Sequence, residues 1–166
     1  MVITRKKYAI VDLINVASTV TGEIVSEYPL AEALKADGVE NGMFLHPNHV
    51  AQEVQLVAGG SQDEGKELYI NWTEDVFYTG QEPRNQFKAM DYPRLFKLVN
   101  GDAFETNAVN GELAAGGYAT IENGFIVAGK EGVDAATAPL LCQEEVVLNN
   151  GEQGYRFIVI NERLGE

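Results

Sequence analysis

The 166-residue sequence predicts a mostly β fold, a short-stranded barrel or sandwich built of hairpins, with an extended N-terminal arm and one or two short helical turns. Five Asn-Gly pairs occur where random order gives about one, and both residues tolerate the positive φ of tight hairpin turns. Short β-branched or alternating runs lie between Gly, Asn and Pro. The sequence shows no sustained alternation of helix and strand patterns and no fixed-period repeat.

The first part of the chain divides into an arm, two leading strands and a short helix. We expect residues 1–35 to dock on a partner or on the β domain, which spans residues 36–166. Helical spacing of Leu30, Ala33 and Leu34 predicts one or two helical turns that end at Gly38. The two β-branched runs predicted as strands are "KKYAIVDLINVAS" and "GEIVSEY".

The β domain is predicted as a succession of short strands divided by turn residues. One of them, "HVAQEVQLVAGG", places Val50, Gln52, Val54 and Leu56 on one face. Between two prolines, "QEPRNQFKAMDYP" lacks alternation and is predicted to be an irregular connection. The other predicted strands are in "NGMFLHP", "KELYINW", "DVFYTG", "RLFKLVN", "AFETNAV", "YATIEN" and "GFIVAG", followed by the terminal hairpin "EEVVLNNGEQGYRFIVINERL".

Composition excludes several classes of protein. A net charge of −13 and a pI near 4.5 argue against binding to nucleic acid or to an anionic membrane. The single cysteine, Cys142, allows no intrachain disulfide and no cysteine zinc cluster, and its apolar context predicts a small buried side chain. The apolar run after the basic N-terminus is broken by Asp12 and Asn15, so we expect no signal peptide and synthesis in the cytoplasm.

Charge is unevenly distributed along the chain. Arg5, Lys6 and Lys7 form a basic cluster before the first strand, whereas the other nine basic residues face 25 acidic ones. From Gly101 to Tyr155 the only basic residue is Lys130, against nine carboxylates. This distribution predicts two differently charged surfaces.

Both histidines lie in "HPNH", at His46 and His49. In a helix they could share a metal ion with Glu53, but Pro47 and the neighbouring strand patterns argue against a helix. We therefore expect a proline-containing turn with two surface imidazoles and no metal or other cofactor.

No catalytic motif accounts for the remaining polar residues. The sequence contains no G-x-S-x-G nucleophile elbow and no glycine-rich phosphate loop. Four aromatic residues could be imagined as a stacking platform, but aromatics in short strands are expected in the core, and these four are Tyr8, Trp72, Phe77 and Tyr78. Adjacent carboxylates are expected to be solvated turn and edge charges, and these pairs are Asp63/Glu64, Glu74/Asp75 and Glu144/Glu145.

The order of three short motifs resembles a known family. "ENGMFLHP" is followed by "GDAF" and then by "GGYATIENGFIVAG", within about residues 36–130. In this order the motifs resemble the capsid decoration proteins of tailed bacteriophages, also called head auxiliary or head-fibre-like proteins. Each motif alone is ordinary turn chemistry, so the resemblance depends on their order.

The resemblance implies a non-enzymatic structural role in a virion. Such proteins bind the outer surface of the expanded capsid as symmetric oligomers, and cement or decorate it. The expected partners are the major capsid protein and further copies of the same chain, with the protein made in the bacterial cytoplasm. Arg5, Lys6 and Lys7 are the predicted partner-binding residues, since they could pair with acidic patches on the shell or extend an edge strand of a neighbour.

Two other readings of the sequence stay open. One is a β-barrel enzyme or small-ligand or sugar binder, which requires Asp102, Glu105 and Glu122 to meet in one cavity. The other is a tail-associated receptor-binding module with an exposed aromatic patch.

Overall fold

A computed structural model describes residues 10–73, 92–149 and 151–165. Its twelve named strands are β1 (Val11–Asn15), β2 (Ile24–Val25), β3 (Leu45–Asn48), β4 (Glu53–Leu56), β5 (Leu68–Asn71), β6 (Leu95–Leu98), β7 (Ala103–Thr106), β8 (Val109–Asn110), β9 (Tyr118–Glu122), β10 (Phe125–Ala128), β11 (Leu140–Val147) and β12 (Gln153–Val159). Its helical segments are α1 (Ser18–Thr21), α2 (Glu32–Lys35) and a 3-10 turn at Ser61–Asp63.

The fold is a mostly β sandwich, as the sequence predicted, and its described strands do not close into a barrel. The larger sheet has seven strands in the order β1-β7-β12-β11-β9-β10-β8, all antiparallel except the β10–β8 pair. The smaller sheet has the order β2-β6-β5, and β3 and β4 form a separate hairpin. The elements are short because turn residues interrupt the chain every few positions.

Alternating apolar residues fill the space between the large and small sheets. Phe44, Phe104 and Phe157 are fully buried there, and their rings lie in a row with centroids 6.3 Å and 5.7 Å apart. Leu68 and Ile70 of β5 face the same core. The period of two in each strand therefore produces the main apolar layer.

A second, smaller core lies on the other face of the small sheet. Tyr69 of β5 and Leu95 of β6 point into it, and Leu45 and Val54 of the β3–β4 hairpin cover them. All four residues of β5 are buried as a result. β5 is thus a central element although its sheet has only three strands.

The Asn-Gly pairs mark turns, but most of these turns do not join paired strands. In all five pairs the glycine has positive φ. Asn123 and Gly124 both have positive φ, 49° and 78°, and form the predicted two-residue hairpin between β9 and β10. Asn100-Gly101 instead carries the chain from the small sheet to the large one. A local turn signal does not specify which strands pair.

Several predicted elements differ in extent from those in the structure. The helix near Leu34 is confirmed as the single turn α2, and the two leading strands are confirmed as β1 and β2. The strand predicted from His49 onward is wrong before Glu53, because Val50 lies in a turn, is 97% exposed, and is followed by Gln52 at φ 54°. The predicted strand "DVFYTG" and most of "QEPRNQFKAMDYP" lie outside the described residues.

The division at residue 35 stays a prediction. On its N-terminal side, β1 pairs with β7 of the large sheet and β2 pairs with β6 of the small sheet. These leading strands join one half of the sandwich each.

Candidate functional site

The predicted partner-binding residues Arg5, Lys6 and Lys7 lie outside the described residues. The described chain starts beside the large sheet, where the Ile10 amide donates a hydrogen bond to Asn107 Oδ1 at 2.8 Å. From there it enters β1, so the basic segment adjoins the first strand of the sheet.

The two histidines lie in different local environments. Pro47 is paired with Val54 inside a strand, so the predicted proline turn is wrong at His46, which is partly buried in β3. His49 lies in the following turn, with Nδ1 2.9 Å from the Tyr28 hydroxyl. Within the described parts of the chain, no group of three or more His, Cys, Asp or Glu side chains is placed to hold a metal ion.

His46 is electrostatically unusual. Its Nδ1 is buried and has no hydrogen-bond partner in the structure. Burial lowers the pKa of His46, and the nearby Lys66 ammonium lowers it further, against a smaller opposing effect of Asp63. The folded protein therefore favours a neutral imidazole.

A cavity of about 460 Å³ lies beside both histidines, and its other charged groups are engaged locally. Lys66 Nζ is 2.7 Å from Asp63 Oδ1, and Glu67 is 3.1 Å from Lys97. Asp63 also accepts a hydrogen bond from the Gly59 amide at 2.7 Å. Asp63 is only 2% exposed, so its prediction as a solvated charge is wrong: it organises a loop.

The three acids required for a ligand cavity do not meet. Asp102 accepts hydrogen bonds from two backbone amides, at Ala17 and Val99, and stabilises the turn between the sheets. Glu122 on β9 contacts Lys130. Glu105 lies on β7, and the two intervening strands separate β7 from β9 by about 14 Å.

A second cavity, of about 320 Å³, lies beside the glycine-rich loop at Gly59-Gly60. Thr120, Lys130 and Thr137 supply its polar lining, together with Ser61. The lysine ammonium is engaged by Glu122, and the exposed Glu64 adds a carboxylate, so this cavity presents hydroxyl groups, backbone and one acidic side chain.

Cys142 and Trp72 have structural environments. Cys142 is fully buried, as predicted, and burial raises the pKa of its thiol. The Trp72 indole packs edge-on against Phe96 with ring centroids 5.5 Å apart. Tyr8, Phe77 and Tyr78, the other members of a possible stacking platform, lie outside the described residues.

The outer edge of β1 is an open surface feature of the described residues. This strand pairs with β7 on one side, and no strand within the described residues pairs with its other side. A groove of about 610 Å³ runs here, lined by Val11–Ile14, Thr19, Trp72, Glu105 and Asn149. Successive strand residues point to opposite faces, so four consecutive lining residues mean that the groove follows the backbone edge. Unpaired N–H and C=O groups at such an edge can accept another strand.

Sequence reasoning did not identify Asp12 and Glu105 as neighbours in this groove. They lie directly opposite each other in the β1–β7 pair and share one face of the sheet. Their proximity depends on a pairing between distant segments. The one local signal was Asp12, a carboxylate within an otherwise apolar strand.

Comparisons with protein-family models, curated proteins and solved structures found no match to this chain. In the described ranges, no helix reaches the length and apolar character that a membrane crossing requires.

Proposed function

We propose that this chain is a non-enzymatic structural protein of a phage virion, which binds the outer surface of the capsid as a symmetric oligomer and cements or decorates it. The observation that carries the proposal is the order of "ENGMFLHP", "GDAF" and "YATIENG" along the chain. The open edge of β1 supports an adhesive role, since it offers backbone groups and charge to a partner.

The physical basis for attachment is multivalency. A capsid presents many copies of one site, so an oligomer that engages several sites at once binds tightly even when each contact is weak. Such attachment needs complementary surfaces and no reactive group. The local engagement of Asp63, Asp102 and Glu122 in structural contacts agrees with this requirement.

The test is co-sedimentation with phage capsids that lack the protein. We expect the purified chain to sediment with emptied, expanded capsids at a fixed copy number, and not with unexpanded shells. Absence of binding to any expanded capsid, or turnover of a small-molecule substrate, would contradict the proposal.

The basic cluster is tested by deletion of residues 1–7. We expect weaker capsid binding and a smaller dependence on salt, because three cations are lost. Unchanged affinity and salt dependence would show that Arg5, Lys6 and Lys7 take no part in attachment.

A further inference from the structure

One face of the β1 groove is acidic. Asp12 lies directly opposite Glu105, an arrangement of like charges that is unfavourable in a sheet. The next residue across the sheet is Arg156, 4.0 Å from Glu105 and 3.6 Å from Glu144. The row therefore holds three carboxylates and one guanidinium. The Asp12 carboxylate accepts a hydrogen bond from the Asn149 amide at 3.4 Å. A cation placed beside Asp12 relieves its repulsion with Glu105.

The other face of the groove is apolar and partly accessible. Leu13 and Trp72 line the groove on this face, and both are half-buried against the main core. Ile14, at the register shift that follows Leu13, is 46% exposed. Val20, which follows Thr19 of the groove, is 89% exposed. An occupant of this edge therefore needs basic side chains on one side and apolar ones on the other.

The N-terminal segment of the same chain has this composition. Residues 1–9, "MVITRKKYA", contain three basic residues, no acidic residue and several apolar ones. Nine extended residues span at most about 30 Å, whereas the five residues of β1 span about 17 Å. The segment is long enough to follow β1 of a neighbouring copy and still cross to it.

The position of the segment allows reciprocal exchange. The segment precedes β1 in sequence, so in each copy it starts beside the groove of that copy. The same groove can accept the segment of the second copy. Two copies related by a two-fold axis can each donate one segment and accept one, and this arm exchange closes the assembly.

We propose that residues 1–9 of one copy bind as an added strand along β1 of a second copy, with their basic side chains against Asp12 and Glu105. This inference rests on the oligomer of the proposed function and identifies the contact between its subunits. The partner of the basic segment is a second copy of this chain. The resulting oligomer attaches to the capsid through its multivalency.

Charge reversal tests the pairing. In sedimentation velocity at low salt, we expect the wild-type chain to self-associate, and high salt to weaken the association. Arg5→Glu/Lys7→Glu reverses the segment, and Asp12→Lys/Glu105→Lys reverses the edge. Each double variant alone is expected to associate at least about tenfold more weakly than wild type.

Mixing the two double variants is the decisive step. In the mixture each acidic segment meets a basic edge, and each wild-type segment meets a wild-type edge, so we expect hetero-association close to wild-type strength. The inference is overturned if the mixture does not associate although thermal unfolding shows that both variants are folded.

A matched pair of single variants tests the edge itself. Ile14→Lys places a charge on the partly exposed edge and is expected to weaken association about tenfold. Val50→Lys makes the same change at the exposed tip of the β3–β4 hairpin and is expected to leave association unchanged. Equal effects of the two variants would contradict a specific role of β1.

Capsid binding distinguishes this inference from the proposed function. Arm exchange is overturned if the chain is monomeric at every concentration, even when it sediments with capsids. It is also overturned if residues 1–9 resist proteolysis in the monomer, because the segment then binds β1 of its own copy. A chain that exchanges segments but binds no capsid supports arm exchange and contradicts the capsid role.

Discussion

The outer edges of β1 and β5 differ in how they are covered. β5 is sealed by its own chain: Phe44 bridges to Ile70, the Gly42 amide donates to the Asn71 carbonyl at 2.9 Å, and the Asn71 amide donates to the Met43 carbonyl at 2.9 Å. β1 has a groove at the corresponding place and no strand from the described residues.

The side chains of the two strands differ in the same way. β5 is buried at all four positions, whereas exposure of β1 increases from Val11 to Asn15. A sealed edge contributes core packing and is costly to alter, but an open edge leaves charge and apolar surface for a partner. β5 therefore holds the sandwich together, whereas β1 presents the surface at which the proposed association takes place.

The largest contrast is expected from shortening one isoleucine on each strand. Ile70→Ala empties a fully buried site in the main core and is expected to lower the free energy of unfolding by about 3–4 kcal/mol. Ile14→Ala, at a site 46% exposed, is expected to cost less than about 1 kcal/mol. Urea unfolding measures both, and equal costs would mean that the β1 edge is packed as tightly as the core.

Residues 42–44 form a strap over the outer edge of β5, and this strap can be strained without a change in β5 itself. Gly42 has φ +84°, and an added Cβ would lie 2.8 Å from Ala108 Cβ and 3.1 Å from Val11 Cγ2. We expect Gly42→Ala to cost about 3 kcal/mol through backbone strain and steric overlap.

The matched control is Gly101→Ala, at φ +92° with open space around the added Cβ. It is expected to cost only about 1–2 kcal/mol, from backbone strain alone. If both variants unfold at the same urea concentration, the close packing of the strap at Gly42 contributes nothing measurable.

The sequence predicts the parts of the fold that depend on local chemistry. The glycines of the Asn-Gly pairs take positive φ, and the alternating β9 pairs with the apolar β10 that follows it. Pairing between distant segments is not encoded in this local pattern. The bridge from Phe44 to Ile70 and the pairing of Val11 with Thr106 follow from how the whole core packs.

The candidate surface was harder to predict than the fold, for the same reason. Asp12 and Glu105 are 93 positions apart in sequence and become neighbours only through the β1–β7 pair. Asp63 resembled a surface charge because its partners, the Gly59 amide and Lys66, come together around it only in the folded loop. Local polarity does not reveal such partners.

A smaller change in the free energy of unfolding is expected at acidic pH, from His46 near the covered edge of β5. The strap continues into β3, where His46 has a lowered pKa because of burial and, next, the Lys66 charge. The unfolded chain therefore binds the proton more tightly than the folded protein. The contribution of His46 to the free energy of unfolding is fully present above the unfolded pKa, near 6.5, and is lost as the pH falls toward and through the lower folded pKa.

This pH dependence is assigned by comparing His46→Gln with His49→Gln. Urea unfolding from about pH 7.5 to pH 5.5 is expected to show a smaller acid-induced loss in His46→Gln than in wild type. His49→Gln, in the exposed turn beside Tyr28, is the control and is expected to keep the wild-type loss. The same slope in His46→Gln and wild type would assign the loss to other groups.

The smallest effect is expected at the open edge and has the opposite sign. Asp12→Asn removes one of two carboxylates that face each other across β1 and β7, so we expect unfolding free energy to rise by a few tenths of a kcal/mol at low salt. High salt should remove the gain. The measurement uses a chain that lacks residues 1–7, in which arm exchange is blocked, and Glu131→Gln on an exposed loop controls for net charge. In the wild-type background the same Asp12→Asn change should weaken association. A loss of stability in the blocked background would mean that Asp12 already pairs with a cation of its own chain, and the open edge would then be closed from within.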